Sequence, residues 1–121
     1  MCAIFTHNNS LHLHVAREIK RMKPSKAIGP DGISTIMLKH IGPKGINYLT
    51  TMLNTSLHLL QTPTIWKTAK IVPLPKPGKP LENSGSYRPI SLLSPIAKLL
   101  EVLILPNLQE AFTPDQYQHG F

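Results

Sequence analysis

The sequence predicts an α+β fold, several helices with one antiparallel β-ribbon, and three observations carry that prediction. Apolar residues recur every three or four positions in separate segments near the start, middle and end of the chain, the spacing of helices with one buried face. Before the last of these segments, two short apolar runs with β-branched members flank a long loop rich in lysine, proline and glycine. Twelve prolines in 121 residues cut the chain into short elements joined by turns.

Taken in order, residues 1–9 show no period and read as a lead-in. Leu11, Val15, Ile19 and Met22 then follow at helical spacing, so a helix capped by Ser10 is expected to run to about Lys23, where Pro24 stops it. Its other face carries Arg17, Lys20 and Arg21, read as a solvated face. In Gly29-Pro30-Asp31-Gly32 the proline presets φ for a turn and Gly32 supplies the positive φ such a turn often needs. Ile33, Met37 and Ile41 mark a short helix capped by Gly42. Pro43 opens the next, with Ile46, Leu49, Leu53, Leu57 and Leu60 on one face and Thr62-Pro63 at its end.

Residues 69–74 fit a strand starting near Lys67, and residues 87–93 are extended again. Together they suggest an antiparallel ribbon around a basic loop. Pro73, Pro75 and Pro89 make its strands short or edge-like, because proline donates nothing to a ladder. Pro95 opens the last helix, with Ile96, Leu99, Leu100, Leu103 and Leu108 toward the core, and Pro106 kinks or divides it.

The bulk figures fit one domain: 41% hydrophobic residues suffice for a core. A formal charge of +7 and a pI near 9.8 favour polyanionic partners. Cys2 is the only cysteine, which excludes an internal disulfide framework. The apolar stretch at residues 99–105 is broken by Glu101 and ended by Pro106, too short to span a bilayer. With no signal-peptide pattern at the start, the expected location is intracellular, in cytoplasm or nucleus, away from membranes.

Six acidic residues are present, Glu18, Asp31, Glu82, Glu101, Glu110 and Asp115, and none forms a close pair on an expected strand end, where two-metal sites gather their carboxylates. Asp31 belongs to the turn, bonding backbone there. Cys2, His7, His12 and His14 cluster, but their spacing does not match zinc-finger patterns, and His12 and His14 would face different ways on a helix. The expectation is therefore no catalytic residue, no metal site and no cofactor in this chain. The ribbon is the better lead: Lys67, Lys70, Lys76, Lys79, Arg88 and Lys98 stand against one acid, Glu82. A hairpin gathers such charges near its tip, where they can meet phosphates, and Tyr87 beside Arg88 offers a stacking face. On these residues alone, a phosphate-gripping loop and a solvated loop remain equal alternatives.

Four blocks also carry a resemblance. Lys26-Ala27-Ile28-Gly29-Pro30-Asp31-Gly32-Ile33 resembles the opening block of reverse transcriptases from non-long-terminal-repeat retrotransposons. Pro63, Trp66-Lys67 and Ala69-Lys70-Ile71-Val72-Pro73-Leu74-Pro75-Lys76 resemble the next block. Tyr87-Arg88-Pro89-Ile90-Ser91-Leu92-Leu93 with Lys98 and Glu101 is similar to the fingers motif, and Gln118-His119-Gly120-Phe121 to the start of the block leading into the palm. The order is the family's, and the wording is nearest to jockey-like elements.

The resemblance implies that residues 1–15 are a lead-in with the start of the first helix. Residues 16–121 would then be a partial reverse transcriptase domain, fingers and start of palm, truncated before the catalytic motifs. It implies RNA-directed DNA synthesis by a complete enzyme that uses magnesium, an RNA template, a DNA primer and deoxynucleoside triphosphates, with no obvious further protein partner. This chain alone is expected to be inactive. Carried over by position, Arg88, Lys76 and Lys79 are the nucleotide-binding candidates, and Lys67 and Lys70 are candidates for the nucleic-acid backbone. The alternative is a non-catalytic basic RNA- or DNA-binding fragment of a decayed element. The helices from Pro43 and Pro95 are expected to bury their faces against each other or against the palm.

Overall fold

The structure is a computed structural model that describes residues 8–112. It is an α+β fold of four helices and one two-stranded antiparallel sheet, in the order α1 (Asn8–Arg21), α2 (Thr35–Lys39), α3 (Pro43–His58), β1 (Lys70–Pro75), β2 (Tyr87–Leu92) and α4 (Pro95–Ala111). The C-terminal block from Gln118 lies outside the described residues.

Helix α1 takes in Asn8 and Asn9, so Ser10 lies inside the helix rather than capping it. It ends at Arg21, where Met22 N–H still donates to the Glu18 carbonyl at 3.0 Å. Pro24 then pushes Lys23 out of helical backbone. Leu11, Val15 and Ile19 are buried, as their spacing predicts.

The turn that follows closes with Gly32 N–H on the Gly29 carbonyl at 3.2 Å, and Gly32 takes φ +72°. The Asp31 Oδ1 accepts from Ile33 N–H at 3.2 Å, and Ile28 pairs with Ser34 across the turn. These bonds hold Ile33 out of the helix expected to begin there. Ser34 caps α2 instead, its Oγ accepting from Met37 N–H at 3.2 Å. Gly42 caps the start of α3 rather than the end of α2, with Pro43 in the first turn of α3.

Helix α3 stops at His58, short of Thr62. Leu60 turns left-handed at φ +52° and Gln61 N–H reaches back to the Ser56 carbonyl at 3.1 Å, a helix-ending hydrogen bond of the kind glycine usually permits. Leu60 is therefore 91% exposed and not part of the apolar face on which its spacing placed it. Leu49 and Leu53 are buried, with Ile46 and Leu57 packed beside them.

Helix α1 is the hub, packing on α2, α3 and α4. The faces of α3 and α4 thus meet α1 rather than chiefly each other. Ile96, Leu99 and Leu100 of α4 are buried with Trp66, which sits in a single 3-10 turn at Thr64–Lys67. Pro106 neither ends nor divides α4, which continues to Ala111. Pro106 and Val102 lie on the exposed side, where water can take the carbonyl that the proline leaves without a donor. Leu108 is half exposed, so α4 commits only its first half to the core.

Candidate nucleotide and nucleic-acid interface

The ribbon pairs Lys70 with Leu92, Val72 with Ile90, Pro73 with Pro89, Leu74 with Arg88 and Pro75 with Tyr87. One residue on, Lys76 N–H donates to the Ser86 carbonyl at 2.7 Å. Opposed residues in an antiparallel pair alternate between hydrogen-bonded and non-bonded positions. That last bond therefore assigns the even residues of both strands to the bonded positions. Pro73, Pro75 and Pro89 all fall on non-bonded ones, where a backbone N–H would point outward. The prolines cost the ladder nothing and remove donors from both outer edges.

The same alternation sorts the side chains. Lys70, Val72, Leu74, Arg88, Ile90 and Leu92 share one face of the ribbon, and Lys76 continues that face at the tip. Diagonal neighbours across such a pair are about 7–8 Å apart, the relation of Arg88 to Lys76. Arg88 is exposed, and among the described residues no carboxylate oxygen lies within 4.0 Å of it. The described ion pairs are instead Arg17 and Arg21 with Glu18. Neither Glu82 nor Glu101 claims the guanidinium.

The loop between the strands is ordered by its own bonds. Lys76-Pro77-Gly78-Lys79 is a turn closed by Lys79 N–H on the Lys76 carbonyl at 3.4 Å, with Gly78 at φ +71° as the third residue. A 3-10 turn at Ser84–Ser86 returns the chain to β2. Lys76 Nζ donates to the Gly85 carbonyl at 2.8 Å, which ties the two sides of the loop together and leaves two N–H donors of the ammonium to face outward. Lys79 is exposed at the end of its turn. Tyr87 points to the face opposite Arg88, and its hydroxyl donates to the Leu81 carbonyl at 2.8 Å. It braces the loop and is not the stacking neighbour of Arg88 that their adjacency suggested.

Lys67 is exposed at the end of the 3-10 turn, and Lys70 is exposed at the root of the ribbon, opposite Leu92. The structure thus puts Lys70, Arg88 and Lys76 on one face, with Lys79 at the tip and Lys67 just below the root. Among the described residues no three His, Cys, Asp or Glu side chains gather. Cys2 and His7 lie outside the described residues. No helix among the described residues is long and apolar enough to cross a membrane.

One residue escaped the sequence reading. Ser94 is fully buried and caps α4, its Oγ accepting from Ile96 N–H at 3.2 Å and Ala97 N–H at 3.4 Å. The serine before Pro95 is a recognisable helix start and could have been read as one.

Fold and surface together define a small basic α+β module that presents an ordered ribbon on a helical base. By sequence, most of the chain is homologous to a segment of the RNA-directed DNA polymerases of jockey-like and other non-long-terminal-repeat retrotransposons. It is 39% identical over 112 residues to a probable RNA-directed DNA polymerase from transposon BS of Drosophila melanogaster, a match covering 88% of this chain and 12% of that protein. It is 40% identical over 112 residues to a probable RNA-directed DNA polymerase from transposon X-element of the same species, again 88% of this chain and 12% of the relative. The RNA-directed DNA polymerase from mobile element jockey of Drosophila funebris is 36% identical over 90 residues, 74% of this chain and 10% of that protein. The chain therefore spans about an eighth of the length of the first two relatives. No protein-family model matches it.

Proposed function

We propose that this stretch is the fingers-side part of an RNA-directed DNA polymerase, and that its ribbon covers the incoming deoxynucleoside triphosphate. The observation that carries the reading is Arg88: an exposed guanidinium on the ribbon with no carboxylate in reach among the described residues. Such a group keeps its fork of donors for phosphate oxygens and its plane for a base. Lys76 and Lys79 add positive charge at the tip, and Lys67 and Lys70 supply it at the root, toward the backbone of template or primer. The apolar side chains of Val72, Leu74 and Ile90 lie between them on the same face. The magnesium ions and the carboxylates that hold them belong, in this reading, to other parts of the complete enzyme, and this chain by itself does not extend a primer.

The test is single-nucleotide incorporation by a polymerase containing this stretch, with template affinity and melting measured on the same variants. Arg88→Ala should cut incorporation by a factor equivalent to about 2–4 kcal/mol of transition-state stabilisation, with template affinity and melting temperature nearly unchanged. Normal incorporation by a folded Arg88→Ala enzyme ends the proposal. If template affinity falls and the incorporation rate on bound template does not, the ribbon is a general nucleic-acid grip instead.

A further inference from the structure

Among the described residues, neither strand of the ribbon packs extensively on a helix. Its orientation must therefore be set at its two roots. The first follows the buried Trp66, where Thr68 Oγ donates to the Thr64 carbonyl at 3.1 Å. The second is Leu93-Ser94, between the end of β2 and the start of α4.

A turn from far earlier in the chain sits on that second root. A Cβ added to Gly29 would lie 2.8 Å from the Leu93 carbonyl carbon, 2.8 Å from the Ser94 nitrogen and 2.9 Å from the Leu93 oxygen. Backbone touches backbone here, and only glycine allows it. Two residues on, Asp31 divides its carboxylate: Oδ1 holds Ile33 N–H, and Oδ2 accepts from Ser94 Oγ at 2.5 Å, across 63 positions of sequence. Ser94 Oγ in turn receives the first free amides of α4. Because the hydroxyl gives its single proton to Asp31, its lone pairs stay turned toward those amides.

We infer that Gly29 and Asp31 are positioning residues for the ribbon: they fasten the Leu93-Ser94 root and so fix the angle at which Arg88 is presented. The inference rests on the nucleotide-covering role of the ribbon for its functional consequence, though not for the fastening itself. Removing the carboxylate charge in Asp31→Asn keeps one acceptor for Ile33 but puts an amide donor where Ser94 needs an acceptor. Gly29→Ala attacks the same joint by another route, driving a methyl group into the backbone. Gly42→Ala is the control, since a Cβ there meets nothing within 4 Å.

The experiment is amide hydrogen exchange on the 121-residue chain. In Asp31→Asn and in Gly29→Ala, the ladder amides of Val72, Leu74, Arg88 and Ile90 should exchange about tenfold faster or more, while those of α1 and α3 stay within about twofold of the parent. Gly42→Ala should change neither group. A uniform rise, complete loss of protection or no change would each overturn the inference, the first two because the joint would then be a general determinant of the fold. In a polymerase containing this stretch, Asp31→Asn should raise KM for the nucleotide several-fold with template affinity unchanged. If Arg88→Ala has no effect on incorporation while the exchange pattern appears, the nucleotide reading fails and the fastening stands. If Arg88→Ala is impaired and the ladder amides of Asp31→Asn are as protected as the parent's, the fastening fails alone.

Discussion

At the scale of the residue, the protein separates groups that hold the ribbon from groups that the ribbon displays. Lys76 and Tyr87 close the loop on itself, whereas Arg88 and Lys79 point outward. Arginine at position 88 should not be replaceable by lysine without loss. Lysine keeps the charge but lacks the planar fork, so Arg88→Lys should fall between the parent and Arg88→Ala in incorporation rate, with all three alike in melting temperature. Gly78 is the complementary case, needed for its backbone and not for any group it offers. At φ +71° an alanine is strained, and Gly78→Ala should lower stability by about 1 kcal/mol in urea titrations. Arg88 could be singled out as a candidate in the sequence because its neighbours form a distinctive block. The bond from Asp31 to Ser94 was not, because nothing local announces a partner 63 residues away.

At the scale of the element, apolar spacing located the four helices of the described residues but misjudged the start of α2 and the end of α3. Ile33 had the right spacing for a helix and was held back by Asp31. Leu60 had the right spacing and was lost to a left-handed helix end. In both cases a particular backbone bond outweighed periodicity. Pro106 is the opposite: a residue expected to kink or divide α4 does not divide it, and the helix runs on at the cost of one backbone hydrogen bond. Pro106→Ala restores that donor and should stabilise the chain by about 1–3 kcal/mol, seen as a higher urea midpoint. No gain would mean that the ring makes packing contacts worth as much as the missing bond. The ribbon itself was legible, strands and loop alike. The opposed faces of Tyr87 and Arg88 follow from the two-residue period of any strand and could have been read there too.

At the scale of the whole molecule, a charge of +7 is carried by 13 basic residues against six acids. Affinity for single-stranded RNA or a duplex should be weak, indifferent to sequence and steeply salt-dependent, with log K falling by roughly 0.7–0.9 per phosphate neutralised for each tenfold rise in salt. Filter binding at several salt concentrations measures the slope, and an affinity that does not change from low to physiological salt contradicts the electrostatic account. Net charge was plain in the composition. The sharing of one ribbon face by Lys70, Lys76 and Arg88 was not, because that depends on a register which only the paired strands reveal.

That register has a consequence for errors in folding. With Pro73, Pro75 and Pro89 all on non-bonded positions, a slip of one residue would turn inward either Pro89 or both Pro73 and Pro75, against carbonyls they cannot serve, while exposing amides on the outer edge of the same strand. Each mispaired state would lack one or two ladder hydrogen bonds. In a two-stranded ribbon with little core to align it, the prolines act as a proofreading code: they do little to strengthen the right pairing and a great deal to penalise the nearest wrong ones.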